Sequence, residues 1–341
     1  MPAPERRPAT IYYKKVEASF GGIPGGTLEE AVRRAFGTAT EDGGRIGDVW
    51  SQRCRTDPQN SQEHVFINHH QDDGNLYFGD LVGFTRGRSQ VLLSNLGNVP
   101  EVDISQFSPP DQQEFMNAMM FWMLRGNHAF VIQSAALRTE ALELYFSWLL
   151  SERTNLAPSD FHAMLIDEVR FDGDAPDGSE KIKKMTIGGR IPGNLTPAPG
   201  SEAPISRTRV ERSDVGEIAE SDGGWARRVL NAALGDQERV NAALRQIPSD
   251  ANLKVSVSLG YERTRRDIDR TALRDMMRAA RNVPDSDLEA VTDAGKIKGD
   301  KIRLTYSPRI LTIGDLFDRN DVKRAMVEAY QNFVANGRID P

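Results

Sequence analysis

The sequence LKVSVSLGYERTRRDIDRTALRDMMRAAR, residues 253–281, joins a strand pattern to a helix pattern and decides the fold class. In its first seven residues, apolar Leu and Val alternate with Lys and Ser, which is typical of a strand with one buried face. Four arginines then recur at helical spacing within about 120° of one another: Arg266, Arg270, Arg274 and Arg278. A strand that runs into an amphipathic helix predicts a mixed fold.

The same stretch is basic, although the whole chain is acidic. The formal net charge of the chain is -6 at pH 7, whereas residues 253–281 carry eight basic and four acidic residues. Such an excess of positive charge in an acidic protein is typical of a phosphate-binding surface. The residues predicted to bind DNA are Lys254, Arg263, Arg265, Arg266, Arg270, Arg274, Arg278 and Arg281. A solvated arginine-rich face without a ligand is the alternative interpretation.

Composition indicates a globular protein of the cytoplasm. With 341 residues, of which 39% are hydrophobic, the chain is long enough for two domains and a substantial core. No apolar run approaches the length of a membrane span, and the first residues, MPAPERRPAT, lack the apolar region of an export signal. The single cysteine, Cys54, excludes an intramolecular disulfide and fits a reducing compartment.

The N-terminal part of the chain predicts a strand, a helix and a hairpin. Residues 11–20 have a strand pattern, and Thr27 with Glu30 forms a capping box for a helix that stops at Gly37. HVFINHH and LYFGDLVGFTR flank the turn formers at 72–75 and predict a hairpin. A helix is expected from Ser108 to Gly126, and because residues 115–124 are apolar on all sides, we expect burial on two sides or in a dimer.

Further elements follow along the chain. HAFVIQSA predicts a strand, and TEALELYFSWLLSER and WARRVLNAALG predict helices. LEAVT and KIRLTYS are expected to be strands around a turn at 295–299, before a last helix at 320–335. The predicted class is α+β, with antiparallel sheets and packed helices in two domains. The expected division is a domain at 1–171, a Gly- and Pro-rich linker or loop region at 172–224, and a domain at 225–341.

Recognisable catalytic motifs are absent from the sequence. It contains no Walker A loop, no GxGxxG after a strand, no GxSxG and no HExxH, so no catalytic residue and no cofactor are predicted. His69, His70, Asp72 and Asp73 could in principle bind a metal, but a polar hairpin end is favoured, and no metal site is predicted. The residues of a possible magnesium nuclease site are Asp167, Glu168, Asp172, Asp174, Lys181, Lys183 and Lys184. The Gly and Pro residues among them favour a solvated loop instead.

The order of three segments resembles a known family. A hairpin with LYFGDLVGFTRG, then NHAFVIQSAALRTEALELYFSWLL, then residues 253–280 followed by a hairpin together resemble the RexA type of phage exclusion protein and related prophage-borne proteins. The likeness covers about two thirds of the chain and lies in pattern and order. It implies a cytoplasmic two-domain homodimer that binds DNA in defence against phage.

The sequence therefore favours a non-enzymatic, largely sequence-nonspecific DNA-binding protein of phage exclusion. Contacts are expected to be with the phosphate backbone, since few Asn or Gln residues accompany the arginines. The first alternative is a metal-dependent nuclease of a defence system. The second is a structural component of a defence complex, in which the arginine face binds an acidic partner protein.

Overall fold

The computed structural model describes residues 4–18, 22–41, 43–58, 60–93, 104–168, 184–192, 252–260, 283, 285, 288–292 and 295–341. The strands of these residues are, in chain order, β1 (Glu5–Pro8), β2 (Ile11–Ala18), β3 (Cys54–Thr56), β4 (Glu63–Asp72), β5 (Tyr77–Thr85), β6 (Gln90–Leu93), β7 (Ile104–Phe107), β8 (Met116–Arg125), β9 (His128–Ile132), β10 (Ala163–Asp167), β11 (Lys184–Pro192), β12 (Asn252–Gly260), β13 (Leu288–Thr292), β14 (Gly295–Lys298), β15 (Thr305–Tyr306), β16 (Arg309–Ile313) and β17 (Leu316–Phe317). The helices of the described residues are α1 (Leu28–Gly37), α2 (Thr139–Trp148), α3 (Gly299–Ile302) and α4 (Arg319–Ala335). Short 3-10 turns lie at Ile46–Asp48 and Trp50–Arg53, and a π-helical turn at Leu149–Arg153 continues α2.

The chain divides into two compact units. The first comprises Met1–Asp167 and Thr305–Pro341, and the second comprises Glu168–Leu304. The second unit is thus an insertion in the first, and the residues after 304 belong to the first unit rather than to the domain expected at 225–341. Strand β11 also lies inside the segment expected to be a linker at 172–224. Its glycines and proline conceal a strand pattern, because they are also the residues that mark loops.

The main sheet of the first unit has the strand order β10-β2-β9-β8-β5-β4-β3, and β15 also pairs with β2. All its pairings are antiparallel. Helices α1 and α2 cover one face, where the Trp122 ring lies 5.4 Å from that of Phe146. Helix α4 covers the other face, where Phe130 stacks on Phe333 at 6.2 Å. Each face of the central strands is therefore buried.

The expected helix from Ser108 to Gly126 is wrong, because most of this segment is strand β8. Met120, Trp122 and Leu124 belong to the core under α1 and α2, whereas Phe121 and Met123 are buried on the opposite face. A strand buried on both faces has no alternation of apolar and polar residues, so its sequence looks like that of a buried helix. The apolar residues at 120–124 are therefore buried within the first unit and do not indicate a dimer.

The α+β class with antiparallel sheets is confirmed, as are several of the predicted elements. They are the first strand, the helix capped by Thr27, the hairpin β4–β5, the strand β9, the helix α2, the strands β12 and β13, and the last helix α4. The Thr27 side chain accepts a hydrogen bond from the Glu30 backbone N–H at 3.2 Å, as the capping box predicts.

The hairpin expected around 295–299 differs from the observed one. Strand β13 pairs with β14, which occupies most of the expected turn. KIRLTYS, expected as a strand, begins in the short helix α3, and its strand is limited to Thr305–Tyr306, which pairs with β2 in the first unit. Thr292 pairs with Gly295, so the second strand of the hairpin begins at the first residue of the expected turn.

A buried carboxylate links the main sheet to α4. A β-bulge lies in β4 between Ile67 and His70, opposite Asp80 of β5. The Asp80 side chain is fully buried; it accepts a hydrogen bond from the His69 backbone N–H at 2.9 Å and one from Arg319 Nε at 2.9 Å. Because Arg319 is the first residue of α4, this interaction fixes the start of that helix on the sheet.

Candidate nucleic-acid interface

Lys254 is the one predicted DNA-binding residue that the structure describes. It lies in β12 and pairs in register with Arg190 of β11. The other predicted residues lie outside the described part of the chain: Arg263, Arg265, Arg266, Arg270, Arg274, Arg278 and Arg281. The structure therefore bears on the strand of the predicted interface, and the arginine helix stays a prediction.

Lys254 belongs to a four-stranded antiparallel sheet of the second unit. The strand order is β12-β11-β13-β14, and the three pairings have no register shift. Since successive residues of a strand point to opposite faces, the register assigns every residue of the sheet to one face or the other.

One face of this sheet is apolar. It carries Leu253, Val255, Val257 and Leu259 of β12, Met185, Ile187 and Ile191 of β11, Leu288 and Ala290 of β13, and Ile297 of β14. Leu288 is 1% exposed and Ala290 is 0% exposed, so this face is covered at β13.

The opposite face is polar and basic, and is called the basic face below. Its residues are Lys184, Thr186, Gly188, Arg190 and Pro192 of β11, Asn252, Lys254, Ser256, Ser258 and Gly260 of β12, Glu289 and Val291 of β13, and Lys296 and Lys298 of β14. Five of them are basic and one, Glu289, is acidic. Both lysines of β14 are exposed. Lys296 Nζ lies 3.0 Å from Glu289 Oε1, with 72% and 40% of the two side chains exposed. An exposed ion pair of this kind is weak, at about 0–1 kcal/mol, so Lys296 can exchange Glu289 for a phosphate.

Sequence reasoning missed four of the five basic residues of this face: Lys184, Arg190, Lys296 and Lys298. A signal exists in KMTIGGRIP, where Lys, Thr, Gly and Arg alternate with Met, Ile, Gly and Ile. It was hidden by the high Gly and Pro content of the surrounding residues. The sequence predicts a turn at 295–299 and therefore gives no reason to place Lys296 and Lys298 on the sheet that carries Lys254.

Arg303 is basic but has a structural role in the second unit. It is 5% exposed, and its Nη1 and Nη2 donate hydrogen bonds to Asp285 Oδ1 and to the Val283 carbonyl oxygen, both at 2.5 Å. Beside it, a Cβ at Gly299 would lie 2.6 Å from the Asp285 Cα, so only glycine allows this close approach. These contacts tie the chain before β13 to the chain after β14 and stabilise that edge of the sheet.

The polar hairpin end of the first unit is held by ion pairs. Arg33 Nε and Nη2 donate hydrogen bonds to Asp72 Oδ2 and Oδ1 at 2.8 and 3.1 Å, and these bonds lower the pKa of Asp72. Asp73 pairs with Lys323 of α4. The carboxylates that a metal would require are therefore engaged by cations.

The two histidines at this hairpin do not converge on those carboxylates. His70 Nε2 lies 2.8 Å from the Gly47 carbonyl oxygen and its Nδ1 lies 3.0 Å from the Tyr77 hydroxyl. Burial lowers the pKa of His70 and that of His69. Across the residues that the structure describes, no group of three or more His, Cys, Asp and Glu side chains is arranged to hold a metal ion.

The structure describes three of the residues of the possible magnesium nuclease site: Asp167, Glu168 and Lys184. Asp167 is buried in the first unit, where its Oδ1 lies 2.5 Å from Lys14 Nζ, and the two side chains are 0% and 1% exposed. Lys184 lies on the basic face of the second unit. Asp172, Asp174, Lys181 and Lys183 lie outside the described ranges.

Cys54 is a half-buried free thiol. Its Sγ lies 3.9 Å from His64 Nδ1, an atom that is also 3.1 Å from the Thr56 hydroxyl. Burial raises the pKa of Cys54, which keeps the thiol protonated at neutral pH and makes it a poor nucleophile.

Comparison of the chain with protein-family models, with curated proteins and with solved structures found no match. None of the helices among the described residues is both long and apolar enough to cross a membrane. The resemblance to RexA-type proteins therefore remains one of segment pattern and order.

Proposed function

We propose that this chain is a non-enzymatic DNA-binding protein that acts in phage exclusion and contacts mainly the phosphate backbone. The observation that supports DNA binding best is the basic face, on which five basic residues and one acidic residue share one surface of an otherwise acidic chain. Basic residues on a polar surface attract phosphates and release their counterions, which gives binding that tolerates many sequences.

Lys254 connects the basic face to the predicted arginine segment. Lys254 lies in β12, which continues to Gly260, and the first predicted arginine follows three residues later at Arg263. The arginines at 263–281 would therefore extend the positive charge from the sheet along the chain that leaves it. The role in phage exclusion and the location in the cytoplasm rest on the resemblance to RexA-type proteins.

A homodimer is part of the proposal and rests on the same resemblance. The apolar segment at 115–124 favours a dimer in the sequence, but the first unit buries residues 120–124 of that segment on both faces of its own sheet. A defence-system partner protein that binds the basic face through acidic residues is the remaining alternative to DNA. The ion pairs of Asp72, Asp73 and Asp167 disfavour a nuclease built on these carboxylates.

The proposal is tested by a gel-shift experiment with duplex DNA at two salt concentrations, with and without magnesium. We expect a shift that weakens strongly at the higher salt concentration and no cleavage in either condition, because each phosphate contact contributes about -0.9 to the slope of log K against log salt. Replacing Arg270 and Arg274 together by Ala should reduce this slope by about 2 units on unrelated sequences, since two contacts are lost.

The other outcomes separate the alternatives. Cleavage that requires magnesium would identify a nuclease, and the absence of any shift at low salt would leave an acidic protein as the ligand. A double arginine variant that stays folded and keeps the wild-type salt slope would show that the arginine helix is a solvated face.

A further inference from the structure

We propose that the basic face binds double-stranded rather than single-stranded DNA, an inference that rests on the DNA-binding function proposed above. The five basic residues of the face form two groups. Arg190 and Lys254 are register partners on neighbouring strands and form the two-residue group. Lys184, Lys296 and Lys298 form the three-residue group, in which Lys184 and Lys296 are both aligned with Val291.

The two groups lie at opposite ends of the sheet. Arg190 and Lys184 are six residues apart on β11, which at about 3.3 Å per residue separates their Cα atoms by about 20 Å. Between Arg190 and Lys298 there are two strand spacings of about 4.8 Å and four residues of strand, which gives a Cα separation of about 16 Å. The positive charge is therefore concentrated in two places rather than spread evenly.

The surface between the groups is made of small residues. Thr186, Gly188, Ser256 and Ser258 occupy it, and none of them is charged. In a duplex, two rows of phosphates border each groove, and the major groove of B-DNA is about 12 Å wide between them. Basic residues of the two groups, whose Cα atoms are about 16–25 Å apart, can each contact one row of phosphates, and the register positions between them hold no bulky residue.

A single strand would require a different surface. Proteins that bind single strands on a sheet stack the unpaired bases on aromatic side chains. The residues that the register places on the basic face are Lys, Arg, Thr, Ser, Gly, Pro, Asn, Val and Glu, with no aromatic residue among them. The described part of this face can therefore neutralise phosphates but offers no stacking platform for bases.

The test compares a fluorescent duplex of mixed sequence with one of its strands alone, using the full-length protein and anisotropy at several salt concentrations. We expect the wild-type protein to bind the duplex at least about tenfold more tightly than the single strand. The first double variant, Arg190→Ser with Lys254→Ser, removes the two-residue group, and the second, Lys296→Ser with Lys298→Ser, removes two residues of the three-residue group. Each should flatten the salt slope for the duplex by about 1.8 units, since two phosphate contacts are lost.

The matched control is Arg34→Ser with Arg45→Ser, which removes the same charge from two exposed positions of the first unit. It should leave the duplex affinity and the salt slope unchanged. Circular dichroism establishes that each variant is folded. The comparison of duplex with single strand uses the wild-type protein alone, so it does not depend on the folding of any variant.

Three results would overturn the inference in different ways. If the single strand binds as tightly as the duplex, the choice of duplex is wrong while the proposed DNA-binding function stands. If neither nucleic acid binds at low salt, the proposed function itself fails. A slope that changes in only one of the two double variants would show that a single group makes the contacts and would also contradict binding across a groove.

Discussion

Gly79 is a position in the main sheet where a side chain has no room. A Cβ built there would lie 2.5 Å from Cζ2 of the buried Trp122 ring and 2.6 Å from the His69 carbonyl oxygen. The first neighbour is a fully buried indole and the second is backbone at the β4 bulge, so neither can move cheaply. Only glycine lets the bulge and the Trp122 ring approach β5 together.

We therefore expect Gly79→Ala to destabilise the protein by about 1–3 kcal/mol, the usual cost of overpacking a core. Gly83→Ala is the matched control, because it lies on the same strand and face but the three atoms nearest to its Cβ would be Leu137 side-chain atoms at ordinary contact distances of 3.6–3.8 Å. Urea denaturation followed by far-UV circular dichroism measures both. Equal effects of the two substitutions would contradict the steric explanation.

Buried charges were the residues that the sequence concealed most completely. Lys14 and Asp167 form a buried pair because β2 and β10 align them in register, and this pairing joins chain segments far apart in sequence. Asp80 likewise meets Arg319 only when α4 returns to the sheet. Local patterns carry no information on such contacts, since each depends on strand pairing that the sequence does not specify locally.

At the scale of elements, periodicity predicted the half-buried segments and failed for the fully buried one. The helix α4 has polar residues on one side and apolar residues on the other, and its position was predicted to within a residue. Strand β8 has apolar residues on both sides because helices cover both faces of the sheet. An apolar run of this length fits a buried strand and a buried helix equally well, so its periodicity cannot distinguish the two elements.

Helix α4 stabilises the first unit mainly through its aromatic residues. Phe333 is 4% exposed; it stacks on Phe130 and meets the edge of Tyr13, both with ring centroids 6.2 Å apart. We expect Phe333→Ala to destabilise the protein by about 3–5 kcal/mol, because it leaves a cavity against the sheet. Gln331→Ala, at an exposed position of the same helix, should change stability by less than about 0.5 kcal/mol. Thermal unfolding of the two variants measures the difference, and a small effect at Phe333 would show that α4 is not part of the core.

At the scale of the whole molecule, the sequence predicted the class and part of the candidate interface but placed the division of the chain elsewhere. Lys254 was selected because a period-2 strand carries it next to a run of arginines. Its register partner Arg190, and the more distant Lys184 and Lys298 of the same face, come from strands that pair with β12 directly or through β11 and β13. An inserted unit has both its ends inside another unit, so neither end is marked by a long linker. Composition alone therefore pointed to the Gly- and Pro-rich middle instead.

The insertion predicts that the first unit folds without the second. The backbone N–H of Leu304 donates a hydrogen bond to the Glu168 carbonyl oxygen at 2.9 Å, so the two ends of the second unit lie side by side. Strands β10 and β15, which flank the insertion, both pair with β2 and do not need the inserted residues to be held in place. Replacing residues 168–304 by a short Gly-Ser linker should leave a protein that unfolds in one cooperative transition, because loop closure over such a distance costs little. Calorimetry and near-UV circular dichroism measure this.

If the basic face is the DNA site, the shortened protein should also lose the salt-sensitive gel shift. A shortened protein that is folded and still binds duplex DNA would place the DNA site in the first unit, whereas one without a cooperative transition would show that the first unit depends on the second for its stability.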